Sequence, residues 1–185
     1  MAQAPAGAEA GAEGGARQRL LELVEATGRG ARASAEQKVA VGALADELAA
    51  ETSPSPEGSM LGGRWDLVYT TEKEVLSLIG DPGVAVYQRI DSDRGSIANS
   101  VVFGDGKRFD VTGTIDCGNG RSRAEGDFPA GLRSFFEFTG ASVTIGGFTV
   151  PLPPVGKGWF VSVYLDGTLR VNRDSRGDLA IYLRA

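Results

Sequence analysis

The sequence predicts a mainly β chain, an antiparallel sandwich or barrel behind a short pair of N-terminal helices. Three observations predict it. Up to Thr52 the apolar residues recur at helical spacing, whereas from Leu61 onward they alternate with a period of two in short runs. Those runs are separated by Asp, Asn, Gly and Pro, the residues that punctuate strands. Both tryptophans, all 8 phenylalanines and all 4 tyrosines lie in the second part and none in the first. A chain of 185 residues has the length of one domain with a small appendage. Leu, Ile, Val and Phe supply 45 of them, above the roughly 20% below which a chain fails to bury a core.

The elements follow in order. Residues 1–16 are almost wholly Ala, Gly, Gln and Glu, with no basic residue before Arg17. They read as a disordered leader, neither a secretory signal nor a basic transit peptide. Residues 17–52 form the helical segment. Leu20, Leu21, Leu23 and Val24 make one amphipathic helix, stopped at Thr27-Gly28-Arg29-Gly30. The second begins at Ser34, where Ser34 and Gln37 have capping-box spacing, and carries the stripe Val41, Leu44, Ala45 and Leu48. Pro54-Ser55-Pro56 forbids its continuation.

Residues 61–185 are the β domain. Trp65, Leu67 and Tyr69 alternate with Asp66, Val68 and Thr70, and later runs cover 84–91, 96–104, 107–116, 121–128, 132–139, 141–150, 158–165, 169–174 and 178–184. Between the first two strands, Glu72 to Gly80 has a charged start and four large apolar residues in five positions, which suits a short helix closing one end. That segment reads equally as a core connector or as a lid or lipid-contacting loop. For the hairpin at Asp166-Gly167-Thr168, a three-residue loop pairs Leu165 with Leu169 and Val163 with Val171, keeping one face apolar.

Composition excludes several functions. A net charge of −5 argues against nucleic acid, whose affinity comes from Lys and Arg displacing phosphate counterions. The chain has no histidine, which removes every Ser-His-Asp, Cys-His and His-metal arrangement. Cys117 is the single cysteine and allows no intrachain disulfide; in the turn Asp116 to Gly120, without a neighbouring base, it reads as inert. No run approaches the roughly 18 apolar residues of a membrane-spanning helix. Asp91-Ser92-Asp93-Arg94-Gly95 opens like a calcium loop, but Val102 stands where the bidentate Glu belongs, so it reads as a turn. Gly104-Asp105-Gly106-Lys107 lacks the spacing of a phosphate loop and reads as a hairpin turn. Lys107-Arg108 and Arg121 with Arg123 read as solvated strand edges. No two carboxylates share an evident rigid face, so the reading is non-enzymatic, with no cofactor and no metal.

Strands rich in aromatics, closed into a barrel, can hold one small apolar ligand. The inward-facing candidates for contact are Trp65, Leu67, Tyr69, Phe103, Phe109, Val111, Phe136, Phe138, Trp159, Val161 and Val163. The alternative for each is a place in the core.

The run Leu61-Gly62-Gly63-Arg64-Trp65-Asp66-Leu67-Val68-Tyr69-Thr70-Thr71 resembles the opening of the barrel in the plastid lipid-associated protein (fibrillin) family. Gly158-Trp159, Tyr164 to Arg173, Gly177 and Leu179 resemble the same family's closing block. Thr27 to Gly30 and the helix after it resemble its helical part, and in the middle Gln88 and Asn99 align. Ser53-Pro54-Ser55-Pro56 departs from the family's acidic-Asn-Pro turn.

The resemblance implies a lipocalin-like barrel in chloroplasts, at plastoglobules and thylakoids. It implies a non-catalytic carrier or structural role toward a carotenoid, prenylquinone or other lipid, with peripheral contact to a lipid surface. A scaffold docking an enzyme of prenylquinone synthesis is the alternative, and a lipocalin-type enzyme acting on isoprenoids a second. In such barrels Gly63 allows the tight entry that sets Trp65 across the closed end. An arginine from a late strand, Arg170 or Arg173, covers the ring by a cation–π attraction of about 0.5–2 kcal/mol. Asp166 is expected to bond the backbone amides of its loop.

Overall fold

The structure, a computed structural model, describes residues 15–51, 57–79, 83–118, 131–153 and 156–185. Helices α1 (Gly15–Ala26) and α2 (Ala35–Glu51) lead to a 3₁₀ turn, Gly58–Leu61, and strand β1 (Gly63–Thr70). Helix α3 (Lys73–Leu78) separates β1 from β2 (Ala85–Asp91), after which come β3 (Ser96–Val102) and β4 (Arg108–Asp116). The remaining strands are β5 (Leu132–Ile145), β6 (Phe148–Leu152), β7 (Lys157–Leu165), β8 (Leu169–Asp174) and β9 (Leu179–Arg184).

All pairings are antiparallel, in the order β4-β3-β2-β1-β9-β8-β7-β5-β6, and an added β4–β5 pairing closes eight strands into a barrel. Closure removes the exposed edges that an open sheet of this length would carry. Strand β6 stands outside the ring, paired to the far half of β5 (Ala141↔Leu152 to Ile145↔Phe148), whose other edge still pairs β4 (Val111↔Ala141 to Arg108↔Thr144), so the β5–β6 ribbon prolongs the wall beside β4 and only its tip, Ile145 to Phe148, lies beyond that strand. The 3₁₀ turn lies at one end of the barrel, with Leu61 packed against Trp65, Ile90, Ile97 and Ile115. At the other end Val75 and Leu76 of α3 pack against Val84, Val101, Phe103 and Phe109.

The helices form where the apolar spacing puts them. Ser34 and Gln37 close a capping box: the Gln37 amide donates to Ser34 Oγ (3.2 Å) and the Ser34 amide to Gln37 Oε1 (2.9 Å). Val41, Leu44, Ala45 and Leu48 are all buried, packed with Ala16, Leu20 and Val24 against the outside of β7, β8 and β9. The first helix ends where Gly28, Arg29 and Gly30 take φ of 57°, 60° and 96° in succession. Arg29 is the one non-glycine residue among the described residues in the left-handed region. Its carbonyl accepts from the Thr70 amide (3.1 Å) and its guanidinium donates to the Val84 carbonyl, pinning the loop to β1 and the approach to β2. Ion pairs Arg17–Asp166 and Arg173–Asp46 tie the helical pair to the barrel.

The structure corrects four readings. The break expected near Gly140 is absent: β5 runs unbroken through it, and the turn comes at Gly146-Gly147. Gly140 sits instead beside a register shift at Thr112/Gly113, where any Cβ on Gly113 would collide with the Glu137 carbonyl. The hairpin at Asp166 pairs Leu165 with Arg170 and Tyr164 with Val171, and a bulge at Val163 restores Ser162↔Asn172. That bulge turns Val161 and Val163 outward and Leu165 inward, so the three do not form one row. Tyr69, displaced by a similar shift after Leu67, and Trp159 also face out, so Tyr69, Trp159, Val161 and Val163 meet the helices and not the lumen. Lastly, Arg173 reaches Asp46 of α2 (2.7 Å) and does not cover Trp65. The expected strand at 121–128 lies outside the described residues.

Candidate functional site

The end beside the 3₁₀ turn is closed by Trp65, which is fully buried and donates from Nε1 to the Leu61 carbonyl (2.8 Å). Two guanidinium groups lie on its ring, Arg170 at 4.9 Å and Arg184 at 4.2 Å from the centroid. Arg184 also donates to the carbonyls of Gly62 (2.5 Å), Met60 (2.6 Å) and Gly167 (2.8 Å), locking the 3₁₀ turn and the β7–β8 loop onto the ring. Sequence reasoning missed Arg184 because it is the penultimate residue, outside the block that drew attention. Its alternation with Tyr182 on the last strand was the available signal. Gly63 takes φ 126°, where a Cβ would meet the Arg184 guanidinium.

Arg170 lies inside the barrel and is fully buried. Its Nη2 donates to Gln88 Oε1 (2.7 Å), and Gln88 Nε2 donates to Asn99 Oδ1 (2.9 Å). The rest of the guanidinium faces rings: Tyr182 at 4.3 Å, Trp65 at 4.9 Å and Phe160 at 5.6 Å, while Nε and Nη1 have no hydrogen-bond partner among the described residues. Burial pushes its pKa down to about 10, so it stays charged at neutral pH. With Ser162 donating to Asn172 (2.9 Å) next to it, this half of the lumen is occupied by side chains. Leu67, Val111, Phe136 and Phe138 face this interior, and Phe103 and Phe109 stand at the rim beside α3.

A hollow of about 420 Å³ lies outside the barrel, between α1, the α1–α2 loop and the wall of β1 and β9. Leu21, Val24, Val68, Ile79 and Leu183 give it apolar walls, and Glu25, Arg29 and Arg32 also line it. Its size falls within the range of about 300–1,000 Å³ for small-molecule sites. None of the eleven residues chosen from the sequence lines it. Sequence periodicity could not find it, because the hollow exists only where two separately built elements fail to meet.

The end of the barrel that carries α3 is held by charge. Arg176, in the β8–β9 turn, contacts Glu74 (2.9 Å), Glu72 (3.4 Å), Asp174 (3.4 Å) and Asp178 (3.6 Å), tying α3 to that turn. Burial, then the charges of Asp174 and Asp178, raise the Glu72 carboxyl to about 7 against the pull of Arg176. An acid whose folded pKa lies above its unfolded one takes up a proton on folding, so stability falls as pH rises from about 4.5 to about 7. Glu72→Gln is expected to flatten that slope and to be more stable relative to wild type above pH 7 than below pH 4.5, read from urea unfolding at each pH.

Other singled-out residues have structural places. Asp166 Oδ1 accepts from the Thr168 and Leu169 amides (both 2.6 Å) and Oδ2 from the Tyr164 hydroxyl (2.8 Å). Asp91 to Gly95 and Gly104 to Lys107 are turns. Cys117 is buried, and burial pushes its thiol pKa up.

The PAP_fibrillin family model matches residues 15–118. The chain is 33% identical over 179 residues to a probable plastid-lipid-associated protein 11, chloroplastic, of Arabidopsis thaliana, covering 92% of this chain and 79% of that one. It is 30% identical over 97 residues to a chromoplast-specific carotenoid-associated protein C1 of an Oncidium hybrid cultivar, covering 47% of this chain and 30% of that one. No solved structure matches it.

Proposed function

We propose that this chain, which belongs to the PAP_fibrillin family, is a non-catalytic plastid protein that carries or sequesters an apolar molecule at lipid globules or thylakoids. The hollow beneath α1 is the observation that carries the reading. An apolar lining of Leu21, Val24, Val68, Ile79 and Leu183, joined by Arg29, Arg32 and Glu25, suits a mainly apolar body that carries an oxygen for an arginine to meet. Prenylquinones and oxygenated carotenoids have that chemistry. The names of the two relatives, one plastid-lipid-associated and one carotenoid-associated, support the same ligand class and the same organelle.

The seat differs from the lumen anticipated from the strands alone, since Arg170, Trp65 and Tyr182 already fill the closed half of the barrel. Mass spectrometry of an organic extract from protein isolated out of plastid membranes is expected to yield one isoprenoid in stoichiometric amount. Leu21→Trp, which fills the hollow from a half-buried position, is expected to lose it while the far-UV spectrum and melting curve are retained. A wild-type extract without isoprenoid would instead favour a scaffold for an enzyme of prenylquinone synthesis, with an occupied barrel.

A further inference from the structure

We propose that the β5–β6 ribbon is the element that enters the lipid surface, laying one of its two faces into uncharged lipid. This rests on the lipid-globule reading above and names the part of the chain that makes the contact. The register sorts the ribbon into two faces. Ala141↔Leu152, Val143↔Val150 and Ile145↔Phe148 form one face that is wholly apolar, and Ser142↔Pro151 and Thr144↔Thr149 form the other, with the two threonine hydroxyls 2.9 Å apart. Near the tip the apolar face is open to solvent: Phe148 is 80% exposed, Val150 54% and Ile145 52%. An exposed apolar patch of this kind marks an interaction or membrane site.

The same face continues the inner wall of the barrel. Partners run across the strands from Val101 to Phe109, Val143 and Val150, and from Asn99 to Val111, Ala141 and Leu152. The ribbon therefore leaves the barrel at the α3 end, beside the half-exposed Phe103 and Phe109 and the exposed Leu78.

Charge identifies the occupant as lipid. From Phe138 to Gly156 the sequence has 19 consecutive residues without Asp, Glu, Lys or Arg, in a chain that carries 43 such residues in all. A protein partner would be met through Tyr, Trp or Arg anchors and charged groups at the rim, and residues 138–156 contain no Tyr, Trp, Arg or other charged residue. Pairing with a second copy along the outer edge of β6 is opposed by Pro151, which has no N–H to offer an added strand. A face of Ile, Phe, Val and Leu backed by hydroxyls can sink among acyl chains without burying a charge.

Flotation of the full chain with neutral galactolipid vesicles and with triacylglycerol emulsion droplets tests this. Wild type is expected to float with both, to the same extent at low salt and at about 1 M salt, because no ion pair is involved. Phe148→Asp combined with Val150→Asp is expected to lower partitioning roughly tenfold or more, while Val39→Asp, at a residue 74% exposed on α2, leaves it unchanged. Phe148→Trp is expected to show a blue-shifted emission on adding vesicles. The ribbon variants, purified from whole plastids, should still yield the isoprenoid on extraction, which separates this inference from the ligand reading. The proposal is overturned if the ribbon variants float like wild type, if wild type does not float, if salt strips it off, or if Phe148→Asp with Val150→Asp instead abolishes self-association.

Discussion

Trp65→Ala is expected to lower the unfolding free energy by about 3–5 kcal/mol, the largest single loss in this chain from removal of an apolar side chain. Trp65 is fully buried and makes three kinds of contact at once: its ring packs with Leu61, Ile90 and Ile97, its N–H is bonded, and two guanidinium groups lie on its face. Removing it opens a void that the closed barrel cannot collapse into, because the strands around it are fixed by their ladders on both sides. It also strips an aromatic face from a fully buried cation. For a chain of this length the melting temperature should drop by about 10 °C. Thermal unfolding followed by circular dichroism checks this, and a loss below about 1 kcal/mol would show that the 3₁₀ turn, not the ring, closes the end.

The second large effect concerns Gln88. Its Oε1 accepts the hydrogen bond from Arg170 Nη2, and among the described residues no carboxylate bonds to that guanidinium. Gln88→Ala should therefore cost about 3–5 kcal/mol, since it leaves a buried charge with rings alone. Arg170→Met should cost much less, because the charge and its two unbonded N–H groups leave together and the rings keep an apolar neighbour of similar length. Combining Gln88→Ala with Arg170→Met should cost less than the sum of the two single changes, a non-additivity measured by denaturant titration of the cycle. If Arg170→Met proved the costlier change, the cation would be a net stabiliser through its ring contacts.

Much of the architecture was legible before any coordinates. The capping box at Ser34 and Gln37 and the stripe Val41, Leu44, Ala45 and Leu48 depend on spacing within one helix, and they form as read. The period-two alternation after Leu61 left a sandwich or a barrel open, the resemblance of the Trp65 run implied the barrel, and the structure has the closed antiparallel barrel with a helix, α3, between its first two strands. The inward assignments were less secure. A single extra residue in a strand reverses every side chain beyond it, and β1 and β7 each carry such an irregularity, after Leu67 and at Val163. Alternation placed Tyr69, Val161 and Val163 with Trp65; the bulges put them under the helices.

The candidate site was less legible for a related reason. Arg184 and Trp65 are 119 positions apart, and only the β1–β9 pairing makes them register partners. The hollow under α1 depends on how far a helix stands off a curved sheet, and the raised Glu72 carboxyl on Asp174 and Asp178, in a turn more than 100 residues away. Local propensity and periodicity determined the elements, their order and the apolar character of the strands, because those follow from each residue and its near neighbours. The tertiary structure alone decided which side of a strand faced in, where empty space was left, and that among the described residues none covers the apolar face at the tip of the β5–β6 ribbon. Those outcomes depend on strand register and on contacts between distant segments, which near-neighbour spacing does not encode.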